Sequence, residues 1–313
     1  MPELPDVVTY VACLRRVVGQ QVIRALRIVS PFVLRTFEPP AEEAEHKRVT
    51  GVERVGKRIV LELDDGLLVV IHLMIAGRFQ WTPGGGAAAG SRGGSGGARK
   101  AGRAGGLLAT LAFDQGTLQL VENALQKRAA IHIVRGRAAL GAFARGGVDV
   151  LTCTAQTFAG QLRRENHTLK RALTDPATFD GIGNAYSDEI LHAAQLSPLL
   201  WTARLTDEEA VRLHAAARAV LGRWIALLGE RFAERFPLPR EITAFRPEFA
   251  VHGRFGAACP RCGTAVQRIR YAENETNYCP RCQTGGRLLA DRSLSRLLHG
   301  DWPRTIEELE EMR

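Results

Sequence analysis

Val7, Tyr10, Val11, Leu14, Val17 and Val18 recur three and four residues apart, the spacing of one helical face. The chain therefore opens with an amphipathic helix that starts near Pro5 and Asp6 and stops at Gly19. Between residues 22 and 134 the period shortens. The runs VIRALRIV, RIVLELDDGLLVVIHL and LLATLAFDQGTLQL are β-rich and carry turns at residues 64–66 and 115–116, which predicts an antiparallel sheet or sandwich. From 152 to 235 the pattern is helical again. Thr206 and Glu209 form a capping box ahead of one long amphipathic helix. The last 31 residues hold two short helical patterns, SLSRLLHG and TIEELEEMR, with no evident chemistry. The fold class expected is α+β.

One segment has no periodicity at all. Residues 84–106 hold eleven of the 32 glycines, four basic residues and no acid. Such a stretch cannot bury enough apolar surface to offset its ordering entropy, so it reads as a flexible loop, more simply a tolerated insertion than a binding element. The remaining shifts in pattern divide the 313 residues into a β-rich domain over 2–135, a helical domain over 150–240, a cysteine module over 250–285 and an extension over 286–313.

Charge narrows the class. Lys and Arg number 42 against 33 Asp and Glu, a net charge of +9 that favours a polyanionic partner, nucleic acid first. No apolar run approaches the roughly 20 residues that span a bilayer, and no secretory signal opens the chain. A cytoplasmic protein without membrane contact is expected.

Four of the six cysteines fall in two pairs, Cys259-Pro-Arg-Cys262 and Cys279-Pro-Arg-Cys282, with sixteen residues between; Cys13 and Cys153 stand apart. Each CxxC turn aims two thiolates at one ion, so the spacing points to a closed, structural Zn2+ site, with a redox dithiol as the distant alternative. Arg254, Arg261, Arg268, Arg270, Arg281 and Arg287 surround it against Glu273 and Glu275, making a ribbon suited to phosphate or simply one with a solvated basic face. Gly181-Ile182-Gly183 forms a tight turn before a helix that begins near Asn184, where free N–H groups and the helix dipole favour a phosphate. At the other end, Pro2 becomes a free secondary amine if Met1 is removed.

Taken in order, PELPDV at 2–7, GKRIVLEL at 56–63, IHLMIAGR at 71–78, GIGNAYSDEIL at 181–191, VHGR at 251–254 and the cysteine quartet resemble the formamidopyrimidine-DNA glycosylase and endonuclease VIII family. The resemblance covers residues 1 to about 283. It implies an N-terminal β-sandwich with a leading helix, a helix–two-turn–helix domain and a C-terminal zinc ribbon holding one structural zinc. It also implies a base-excision-repair glycosylase with abasic-site lyase activity that removes oxidised bases, oxidised purines or formamidopyrimidines first, through a Pro2 Schiff base, acting as a monomer on double-stranded DNA that contains damaged bases or abasic sites, in a nucleoid of bacterial type. Pro2 would be the nucleophile toward C1′, Glu3 the general acid/base and Lys57, in the GKRIVLEL strand, the family's β-hairpin lysine, which contacts the phosphate near the lesion and assists elimination. His72, Lys127, Arg128, Asn184, Arg254 and Asn274 would contact DNA; a histidine merely packed at a strand end describes His72 equally well.

The chain also departs from that family. Asn274 stands where the family's finger carries an arginine, and NALQKRAAIHIV (123–134) replaces the segment that supplies an aromatic wedge. Met74 lies one place before the expected methionine position, which holds Ile75. The helical domain's usual lysine falls at Glu165 or Asn166. Two rival readings follow: an endonuclease VIII-like preference for oxidised pyrimidines, read by residues 237–249, and a zinc protein that binds damage without cutting.

Overall fold

The computed structural model describes residues 1–84, 106–271, 274–290 and 303–311. Most of the glycine-rich stretch, Glu273 and the SLSRLLHG segment lie outside them. The chain divides into two compact units, residues 1–144 with 227–243, and residues 145–226 with 244–313.

The first unit opens with α1 (Leu4–Val18), whose Val7, Tyr10, Leu14 and Val18 are fully buried. Arg15 docks it on the strand Val49–Val55 by donating from Nε to the Val52 carbonyl at 2.8 Å. Two four-stranded antiparallel sheets follow. One has the order β1-β6-β7-β5 (Ala25–Ile28, Leu107–Phe113, Gly116–Glu122, Gly77–Pro83), the other β2-β3-β4-β8 (Val49–Val55, Arg58–Leu63, Leu67–His72, Ala130–Arg135). Successive residues of β7 alternate between buried and half-buried, as a strand with one covered face requires. In β4 the run Leu67–Ile71 is buried throughout. Its second face has cover of its own: Leu68 and Val70 cluster with Val60 and Leu140, the last supplied by a 3-10 turn at Arg137–Phe143. That double burial explains why the strand reads as a continuous apolar run.

The second unit begins with α2 (Ala155–Leu162), α3 (Leu169–Thr174), α4 (Asn184–Ala194) and the long α5 (Asp207–Arg231). Thr154 and Thr168 cap the first two from their hydroxyls. The expected box ahead of α5 is present in both directions, Glu209 N to Thr206 Oγ1 at 3.2 Å and Thr206 N to Glu209 Oε2 at 3.0 Å. Phe158 stacks on Phe179, and Tyr186, Trp224 and Phe249 meet edge to face. The cysteine module adds the hairpin β9–β10 (Gln267–Tyr271, Asn274–Tyr278) and α6 (Pro280–Thr284), and α7 (Ile306–Glu311) matches the last helical pattern. Among the described residues, no helix is long and apolar enough to cross a membrane.

Candidate functional site

Pro2 and Glu3 lead directly into α1, and both are buried; Glu3 is 2% exposed. The Glu3 N–H donates to Asp6 Oδ2 at 2.9 Å, which ties one orphan donor of the helix start to a first-turn carboxylate. A buried carboxyl thus lies one residue from Pro2, at the start of a helix whose inner face is buried. In the chain as it begins here, the amine belongs to Met1, and burial pushes its pKa below the usual value; Glu3 opposes that shift, while Arg78 and Lys57 add to it. An amine held there favours its neutral, nucleophilic form.

Lys57 is not in a strand. It is the second residue of the two-residue turn that joins β2 to β3, closed by the pair Val55 and Arg58. Gly56 before it takes φ 61°, which glycine adopts without steric cost and which matches the twist of a two-residue hairpin. The apolar strand that follows accounts for the difference, because alternation alone does not mark where the hairpin folds back. His72 ends β4 opposite Arg58 and Ala130. Burial, and then the charges of Arg58 and Lys57, push its pKa down to about 4, so it is a neutral imidazole at physiological pH.

Two connections pass from one sheet to the other at the same end of the sandwich, since His72 pairs with Ala130 and Gly77 with Glu122. In the first, residues 73–76, Met74 takes φ 52° and Ile75 is about half exposed. Arg78 fixes this turn, donating to the carbonyls of Gly77 at 2.7 Å and Ile75 at 3.2 Å, and to that of Ile242 at 2.6 Å. The second connection is organised by buried Glu122, whose Oε2 accepts from the N–H groups of Arg128 at 2.8 Å and Ala129 at 3.0 Å. The Lys127 ammonium is spent internally on the Glu122 carbonyl. Arg128 is exposed and donates to Gln126 Oε1. Leu125, at the tip, is fully exposed. No periodicity marks it, and only its being the one large apolar side chain of residues 123–129 hints at a role.

In the second unit, Gly181 takes φ 87° and Gly183 caps α4. Asn184 does not stand alone at the helix start: its Nδ2 donates to the Glu275 carbonyl of β10 at 3.0 Å. Beneath it lies a buried polar network. Asp188, 1% exposed, accepts from Lys170 Nζ at 2.5 Å through Oδ1, and from His252 Nδ1 at 2.7 Å and Asn277 N at 3.1 Å through Oδ2. Lys170 also donates to the Asn184 carbonyl at 2.7 Å. Glu189 accepts from the N–H groups of Ala250, Val251 and His252 at 2.7–2.9 Å. Burial raises the Glu189 pKa, and those three bonds oppose the rise. Glu165 and Asn166 are exposed, so the lysine that holds this turn is Lys170 on α3. Asn274 is exposed at the start of β10, opposite Tyr271. Of the ribbon's arginines, Arg254 is held by the Pro247 carbonyl at 2.7 Å, and Arg268 lies over the Phe255 ring and pairs with Glu275. Arg261, Arg270, Arg281 and Arg287 are exposed.

The sulfurs of Cys259, Cys262, Cys279 and Cys282 all lie within 4.8 Å of one another. Tetrahedral zinc with Zn–S bonds of about 2.3 Å separates its sulfurs by about 3.8 Å, so the quartet fits one such ion. Four thiolates leave it no open position. Val251 and Val266 pack around Cys259 and Cys279 as the module's small apolar core.

Residues 1–111 match the family model for the formamidopyrimidine-DNA glycosylase N-terminal domain, 149–233 that for the H2TH domain of the same enzymes, and 256–285 that for the zinc finger found in FPG and IleRS. The formamidopyrimidine-DNA glycosylase of Exiguobacterium sibiricum is 30% identical over 291 residues, covering 90% of this chain and 99% of the relative. That of Thermus thermophilus is 32% identical over 292 residues, covering 91% and 100%. The crystal structure of the Lactococcus lactis enzyme bound non-covalently to DNA containing an AP site is similar with a TM-score of 0.73 at 25% identity, covering 90% of this chain and 99% of that one.

Proposed function

The chain belongs to the formamidopyrimidine-DNA glycosylase family, and from that membership we propose a base-excision-repair glycosylase and abasic-site lyase that removes oxidised purines through a covalent intermediate on Pro2. The observation that carries the assignment of Pro2 is the buried Pro2-Glu3 pair at the start of a fixed helix. Once Met1 is removed, the Pro2 nitrogen has a lone pair. It forms a bond to C1′ as the glycosidic bond breaks, and opening of the sugar at O4′ leaves an iminium ion. Glu3 is the group in position to move the proton that this departure requires. Loss of a C2′ proton then expels the 3′ phosphate, and Lys57, raised on its hairpin turn, stabilises the charge that develops there.

DNA contact is assigned to His72, Arg128, Asn184, Arg254 and Asn274, with Lys127 acting through the fold of its own connection. The target base must leave the stack before C1′ can be reached. Ile75 and Leu125, exposed on adjacent connections, are the apolar groups suited to fill the space it vacates. One zinc per chain, bound by the cysteine quartet, would hold the ribbon's hairpin in place, and the enzyme would act as a monomer.

Borohydride reduction in the presence of an abasic duplex tests this reading. Protein with a processed terminus should give a covalent adduct whose peptide map ends at Pro2. Protein carrying an uncleaved N-terminal tag should give none. Adduct formation by the blocked protein would overturn the assignment.

A further inference from the structure

The face of α4 that meets the ribbon carries four polar side chains, at positions 184, 188, 189 and 192. Asn184, Asp188 and Glu189 bond to β10 and to the segment at 250–252, as described. The fourth reaches the metal site. His192 is 7% exposed, and its Nε2 lies 3.3 Å from Sγ of Cys259, itself 2% exposed. We infer that His192 is a positioning residue for the metal: it donates an N–H bond to the Cys259 thiolate and so couples the helix that presents Asn184 to the electronic state of the zinc centre. This inference rests on the reading of the quartet as a zinc site.

The direction of the bond follows from the chemistry. A metal-bound thiolate has lost its proton and can only accept, so the imidazole must be the donor. Four thiolates give a zinc centre a net charge of −2, and burying that charge is costly unless nearby donors share it. The bond removes electron density from one sulfur without replacing it as a ligand. Groups that bond to metal ligands in this way commonly change metal affinity by about 10–100-fold. The geometry also fixes which sulfur is tuned. Cys262 and Cys282 are half-buried and open to solvent, whereas Cys259 lies on the helix side, where water has little access. His192 therefore supplies Cys259 with a side-chain hydrogen bond, as Thr264 supplies one to Cys262.

The full chain reconstituted with Co2+ provides the test, because a cobalt centre reports its thiolates by their charge-transfer absorption. His192→Phe keeps a ring of similar size and removes the donor; His192→Gln keeps an N–H donor. The expected result is a charge-transfer band at lower energy in the Phe variant and an unshifted band in the Gln variant. Zinc transfer from the Phe variant to a colorimetric chelator should be about tenfold faster or more. If His192→Phe does not fold, His192→Met makes the same comparison without the ring. An unshifted band and unchanged zinc release in a folded donorless variant would overturn the role of His192 and leave the zinc site standing. A wild-type chain that develops no charge-transfer band would overturn both.

Discussion

Asp188→Asn is the sharpest single perturbation of the second unit. The carboxylate has almost no contact with solvent and gathers an ammonium, an imidazole and a backbone N–H within 3.1 Å. Asparagine keeps the shape but removes the charge and turns an NH2 toward one of those donors. Removing one partner from a buried ion pair costs about 3–5 kcal/mol, because the charge left behind stays buried. Each kcal/mol moves the melting temperature of a unit this size by about 2–4 °C, so the variant should melt roughly 6–20 °C lower. Calorimetry of the full chain measures that shift. Hydrogen exchange at the Asn277 amide supplies a local reading, since its acceptor is Asp188 Oδ2. Lys170→Met should shift the melting temperature in the same direction. A melting temperature within about 2 °C of wild type, with Asn277 still protected, would refute the view that this carboxylate holds the ribbon to α4.

Four further outcomes are expected. Glu3→Gln should bind lesion duplexes and lose excision of the damaged base, while keeping some cleavage of abasic strands; undiminished excision in a single-turnover assay removes Glu3 from the mechanism. His72 should titrate near pH 4 by NMR. Because the unfolded imidazole takes its proton near pH 6.5, stability should fall as pH drops from about 6.5 toward 4 and be indifferent to His72 above that window; a midpoint near 6.5 contradicts this. The native chain should give β-elimination product in excess over the β,δ product on an end-labelled abasic duplex, and Asn274→Arg should raise the δ fraction, since a guanidinium stabilises a departing phosphate better than a neutral amide does. Ile75→Ala combined with Leu125→Ala should weaken binding to abasic DNA by about tenfold or more in anisotropy titrations, the loss of two buried apolar side chains, without lowering the melting temperature.

The parts of this fold legible in the sequence were those with a strict local rule. Helical spacing marked α1, and reciprocal capping chemistry marked the start of α5. The CxxC pairs placed four sulfurs together because each turn has little conformational choice. The Gly181–Gly183 turn was visible as a turn, yet the lysine beneath it was not. Lys170 lies fourteen residues before Asn184 in a pattern that marks only a helix, and its partner Asp188 reads as an ordinary polar helix residue until burial is known. The resemblance points to a hairpin lysine at Lys57, but the strand that pairs with Arg58–Leu63, Val49–Val55, is not marked by its own sequence, so the turn's exact place comes only from the pairing of Val55 with Arg58. Leu125 is not legible in the sequence, because a large apolar residue in a connection acquires meaning only from its complete exposure.

Residues 227–243 pack with the first 144 residues, although 82 residues of the other unit intervene in the chain. Cys13 lies against the carbonyls of Phe232 and Arg235, Arg16 donates to those of Phe232 and Ala233, Tyr10 packs on Phe236 and Arg78 reaches Ile242. A gene fragment that stops after the eighth strand would therefore encode Pro2, Glu3 and Lys57, and still lack the chain that packs on α1. Such a product would leave Tyr10 and Cys13 without their cover, so the boundary between domains in the gene is not a place where the protein can be cut. Truncation or recombination has to carry the returning segment along, and a ribosome must have built the first 82 residues of the second unit before the first is complete.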